Sequence, residues 1–287
     1  VDSTQQVKPS AGAIIGGVFA GSMTNALIQQ LPSKILNPQI VKKLLNINCL
    51  NAEELKAVTQ AVQDTLKNTG LDKKGVSIFR ITKENLDEIP KIFTNIVDNT
   101  AIVKHFPEKI KKIIVNKQFN NFNQSVIPAY ESVSKKVLLP WQMSLCSFHE
   151  IGHASKAASI LSKFRPLSCL ALPIALIALW KTKKPDSQQP ESKTDKVTTF
   201  IKENAGKLTF AASLPILAEE ALATFKGNGY AKKLLSPELA SKVAKANALG
   251  FATYASLILA LSIGIYLGVK VKDAITDKNI QKHTANQ

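Results

Sequence analysis

Arginine is almost missing from this chain: of its 37 basic residues only Arg80 and Arg165 are arginines, and the rest are lysines. Readers of nucleic acid concentrate guanidinium groups among aromatics, because phosphate forks and base stacking favour them. No such cluster is present, and no zinc-finger, RRM or KH pattern, so nucleic acid is not expected as a partner. Cysteine is sparse as well. Cys49, Cys146 and Cys169 are odd in number and not spaced as ligands, which argues against a disulfide framework. Cys146, three residues before His149 and on its helix face, reads as a small buried hydrophobe. Val1 to Gln6 carry no basic n-region and no cleavage signal follows, so a cleaved secretory leader is not expected; the missing Met points to a chain given without its first residue.

What the chain does have is positive charge and long uncharged stretches. Its formal charge is +16, which suits an anionic lipid surface beside apolar spans, or simply keeps soluble parts solvated. Residues 246–269 run 24 positions without a charge and are expected to form a transmembrane helix. Residues 11–31 are also uncharged, with the small-residue spacings Gly16/Ala20 and Gly17/Gly21 that let helices approach closely. Thr24, Asn25, Gln29 and Gln30 make that segment either a buried helix or a membrane helix. Residues 167–180 are apolar but short for an independent span, and 208–217 turn apolar again after helix resumes near 197. The hydrophilic stretch 181–196 between them reads as an exposed linker. Lysines flank both ends of these segments, so the positive-inside rule gives no orientation.

The intervening region reads as soluble. Helix is expected over 33–70, with Asn51 and Glu54 as a variant capping box, Leu55, Val58, Val62 and Leu66 at helical spacing, and Gly70 as the stop. Strands are expected at 75–81, 109–116 and 134–139, a helix over 83–98 kinked or broken at Pro90, and a polar loop at 117–125. Residues 71–140 thus form a small mixed region ahead of a helix over 141–163.

That helix carries His149-Glu150-Ile151-Gly152-His153, an HExxH pattern. Residues i and i+4 share a helix face one turn apart, so two imidazoles can reach one metal ion. Glu150, one step round, is placed to take the proton of a zinc-bound water as it attacks a carbonyl. Only four histidines exist, and two fall in the motif. Ser159 stands where an extended motif would carry a third histidine. The remaining ligand is sought in Leu217 to Thr224, where Glu219 and Glu220 lie in an apolar helix and burial is costly unless paired or metal-bound. From His153 to Trp180 is 27 residues and from Val197 to Glu220 is 23, arms that differ by about one helical turn. An antiparallel hairpin therefore returns Glu220 to the level of His153. Gly152 and Ala154 are small enough for another element to pack close.

HEIGHA at 149–154, the apolar hairpin and Glu220-xx-Ala223 resemble the gluzincin metallopeptidases, in particular the membrane-embedded heat-shock protease and CAAX-prenyl endopeptidase group. The resemblance covers about 140–225. It implies that Glu220 is the third zinc ligand, with Glu219 as the alternative. In that group an Asp four residues on steadies the first zinc histidine; here Thr224 takes its place. It further implies that a peptide adds as a strand along a sheet edge before the motif helix, at 134–139 or 109–116. Tyr230 is a candidate transition-state donor.

The expected protein is mainly α (α+β): an N-terminal helical region at 1–70, a zincin-like metallopeptidase core at 71–225 containing the hairpin 166–225, and the C-terminal span and basic tail at 226–287. The expected activity is zinc-dependent (Zn2+) hydrolysis of a peptide or protein substrate at a lipid membrane. The alternative is a non-catalytic membrane scaffold with a structural or vestigial metal site. An open coordination position beside Glu150 favours the enzyme, since structural zinc sites are usually closed and cysteine-rich.

Overall fold

The computed structural model describes residues 11–31, 36–81, 107–113, 128–131, 134–140, 143–181 and 192–285, together with 88, 90–92, 94, 115 and 116. The expected loop 117–125, most of the expected helix 83–98 and most of the linker 181–196 lie outside them, as do Val1 to Gln6. The described chain is mainly helical, with a small three-stranded sheet. It forms two compact units, one drawn from 1–37, 164–217 and 253–287 and the other from 38–163 and 218–252. The units are interleaved along the chain, whereas the regions read from sequence are consecutive.

In the second unit α2 (Asn37–Ile47) and α3 (Ala52–Thr69) are soluble amphipathic helices. Asn51 and Glu54 make both bonds of a capping box, at 2.9 and 3.1 Å, and Gly70 ends α3 in the left-handed conformation at φ 65°. Val58, Val62 and Leu66 are buried, while Leu55 of the same stripe faces outward. Strands β1 (Ser77–Ile81), β2 (Ala129–Glu131) and β3 (Lys136–Pro140) form a sheet in the order β1-β3-β2. β3 pairs parallel with β1 and antiparallel with β2, and Val137, Leu138 and Leu139 are wholly buried, as befits a strand covered on both faces.

Two expectations fail here. Residues 108–113 are helical, not a strand. Pro107 opens the turn by accepting from the Ile110 and Lys111 amides, and Glu108 pairs with Lys111 at 2.9 Å, one turn on. And 134–139 supplies the central strand, so it has no free edge. The short β2 gave no readable periodicity.

The helix expected over 141–163 is interrupted. A 3₁₀ turn at Ser144–Cys146 leads into α4 (Ser147–His153), and after Ala154 the Ser155 side chain caps a new helix, α5 (Lys156–Ser162). Two polar side chains fix the entry to α4. Buried Asn48 accepts from the Leu145 amide at 2.9 Å and donates to the Leu44 carbonyl. Arg80 reaches both Ser144 and Thr59, at 3.2 and 3.1 Å.

The first unit contains α1 (Ala11–Leu31), α6 (Ala171–Trp180), α7 (Lys193–Glu203), the start of α8 (Ala205–Leu234) and the end of α9 (Pro237–Ala285). α1 runs antiparallel to α9 along small residues. A Cβ on Gly17 would meet Thr276 Oγ1 at 2.6 Å, Gly21 abuts Gly268, and a Cβ on Gly264 would meet Asn25 Oδ1 at 2.7 Å. The Gly17/Gly21 spacing thus serves close helix packing. Among the described residues three helical stretches are long and apolar enough to cross a membrane: Lys156–Trp180, Ala205–Leu234 and Pro237–Lys278. The last contains the expected span 246–269; α1 is not among them.

Candidate metal centre

α4 is buried along its whole length, with Phe148 and Ile151 fully enclosed. Its wall is α8, which offers Glu220, Ala223, Thr224 and Gly227, the i, i+3, i+4 and i+7 positions of one helix face. Glycine makes the approach close. A Cβ on Gly152 would run into the Ala223 backbone, and one on Gly227 would come within 2.6 Å of the Phe148 carbonyl oxygen. With the backbones this near, the short reach of a glutamate suffices.

His149 Nε2 lies 3.1 Å from His153 Nε2 and 3.1 Å from Glu220 Oε2, and His153 Nε2 lies 3.3 Å from that same oxygen. Bonds of about 2.05 Å at tetrahedral angles separate ligand atoms by about 3.3 Å. The three atoms therefore form one face of a coordination tetrahedron, and the buried His149, His153 and Glu220 group can hold a metal ion. Two imidazole nitrogens aimed at each other and at a carboxylate oxygen need a proton or a cation between them.

The other ring nitrogens are occupied in the way metal-binding histidines require. His153 Nδ1 is 3.0 Å from Glu219 Oε1, and His149 Nδ1 is 3.2 Å from Thr224 Oγ1. Each contact fixes a ring and turns its Nε2 inward. Glu219 thus meets the far side of His153, while Glu220 meets both converging nitrogens. Thr224 offers His149 a neutral hydroxyl as its partner. Sequence reading noticed Thr224 only as a departure; the histidine–Glu219 contact was hidden because adjacent helix positions point about 100° apart.

Burial opposes charge on His153, but the hydrogen bonds it donates to Glu219 and Glu220 outweigh that and raise its pKa to about 10. A metal ion at Nε2 competes with that proton. Cys146 behaves as expected of a small hydrophobe: burial, reinforced by the nearby Glu150 charge, pushes its thiol up to about 12, and its Sγ lies 3.9 Å from Asn48 Nδ2. All three cysteines are free. Glu150 is buried and, among the described residues, has no hydrogen bond or salt bridge. Tyr230 lies ten residues beyond Glu220 on α8, about 15 Å along the axis, and is not among the residues that converge on the two histidines.

No family model, no curated protein and no solved structure matches this chain.

Proposed function

We propose that the chain is a zinc-dependent endopeptidase of zincin-like type, hydrolysing peptide bonds of a peptide or protein substrate at or near a lipid membrane. One observation carries this reading: two imidazoles and a carboxylate converge with tetrahedral spacing, and the residue after the first histidine is an unpaired buried glutamate. The donor set of two nitrogens and one oxygen suits zinc and leaves room for a fourth ligand. Zinc held there supplies a Lewis acid and a water of near-neutral pKa.

The protein residues do the rest. Glu150 takes the proton from the attacking water and returns it to the leaving amine. Glu219 and Thr224 keep both imidazoles in the orientation that the reaction needs. With β3 paired on both sides, an added peptide strand must use β1 or β2, and β2 packs against α4. The membrane half of the reading rests on three apolar helices and on the large side chains that the first unit leaves exposed, including Phe19, Leu172 and Trp180.

The test is Glu150→Gln in detergent-solubilised protein. It should keep its zinc and lose hydrolysis of unfolded polypeptide by about 10²–10⁴-fold. Undiminished hydrolysis would remove the general-base role. Wild-type protein that binds zinc without any hydrolysis would favour the scaffold reading.

A further inference from the structure

Beside the metal centre the second unit contains a cavity of about 410 Å³ whose lining includes Lys74, Lys156, Lys226, Ser155, Thr69 and Tyr230. Among the described residues, no acidic side chain lines it. Among the described residues none of the three lysines has a carboxylate partner, and the Tyr230 hydroxyl makes no hydrogen bond. Three lysines and a phenol line one concavity, a surface that favours entry of an anion. Some lysines elsewhere pair with carboxylates: Lys242 meets Glu54 at 2.6 Å, Lys181 meets Asp195 at 2.8 Å and Lys202 meets Asp273 at 2.8 Å.

Its position relates it to the metal centre. Ser155 and Lys156 lie two and three residues after the second histidine, and Lys226 shares α8 with Glu220 six residues away. Along the helix, Lys226 and Tyr230 stand about 9 and 15 Å from the level of Glu220. An extended peptide advances about 3.3 Å per residue, so this interval spans about three to four residues.

We infer that the cavity is a specificity subsite for an acidic side chain of a peptide substrate, three to four residues from the bond held at the metal centre. The assignment of the peptide as occupant rests on the peptidase reading above. The subsite selects carboxylates by charge, with the Tyr230 and Ser155 hydroxyls available as hydrogen-bond donors.

The experiment uses full-length Glu150→Gln protein, zinc-loaded in detergent, and two fluorescent ten-residue peptides that differ only in Asp-Glu against Asn-Gln. The acidic peptide should bind at least about tenfold more tightly by anisotropy at low salt. Adding Lys156→Gln and Lys226→Gln should bring the two affinities within about twofold while zinc content is unchanged; single Lys156→Gln, an exposed change, should give a partial loss. Equal affinity for both peptides overturns the inference, as does a preference that survives the lysine changes. Phosphatidylglycerol vesicles that bind through these lysines without peptide discrimination overturn it in favour of a lipid headgroup. Cleavage of the same peptides by the wild-type chain separates the two readings. Acidic preference without cleavage upholds the subsite and removes the peptidase; cleavage of both peptides at equal rates does the reverse.

Discussion

The two units of this protein fill their interiors in opposite ways. The unit holding the metal centre buries large side chains: Leu139, Met143, Leu145, Phe148 and Ile151 are all within its core. The helical unit buries small ones, with Ala175, Ala178 and Ala205 making up half of its core, and turns Ile15, Phe19, Leu172, Leu176 and Trp180 outward. A core built from large apolar groups is driven by water around it. Small residues inside and large ones outside is the pattern of helices that meet lipid, where burial of apolar surface gains nothing and close packing does. One chain thus carries two kinds of core, one of large side chains and one of small ones.

Glycine contacts offer the strongest way to break that contrast. Gly152→Val drives a branched side chain into the Ala223 backbone and should cost about 3 kcal/mol of stability, displacing α4 from α8. Gly268→Val meets the Gly21 carbonyl at 2.6 Å and should loosen α1 from α9. Zinc content measured on both variants should fall in the first and hold in the second. Loss in both would mean that the two units are not energetically separable.

A charge on each surface sharpens the same comparison. Leu172→Lys places an ammonium on a side chain 66% exposed in the helical unit and should oppose membrane insertion by about 2.5–3.5 kcal/mol if lipid covers it. Leu55→Lys, at a position 37% exposed in the other unit, should shift stability by no more than about 0.5 kcal/mol. Membrane-fraction assays read both, and equal behaviour would remove the lipid-facing assignment. At the centre itself a modest effect is expected of Thr224→Val, which takes away the partner of His149 Nδ1 and should weaken zinc affinity about tenfold, measured by chelator competition.

The sequence carried the metal centre unusually far, because its ligands obey short-range rules. Helical spacing put His149 and His153 on one face, and arms of 27 and 23 residues on either side of the linker pointed to Glu220, the three residues that the structure groups together. The capping box at Asn51 and the stop at Gly70 are also local chemistry, and both stand in the structure. Errors arose where tertiary context decides. Residues 109–116 look β-prone by composition, yet Pro107 and the Glu108–Lys111 pair turn them into helix. The break at Ser155 was disguised by an apolar pattern that continues across it. The role of Asn48, which holds the turn before α4 from almost a hundred residues away, has no local signature at all.

Metal stoichiometry in purified wild-type, Glu220→Ala and Glu219→Ala protein, by elemental analysis with chelator competition, is the most direct test of the centre. One zinc per wild-type chain is expected, with affinity lowered more than about a hundredfold by Glu220→Ala and by only about 10–100-fold by Glu219→Ala, the range for a group that orients a ligand. A wild-type chain without metal, or a Glu220→Ala chain that binds zinc as tightly as wild type, would contradict it.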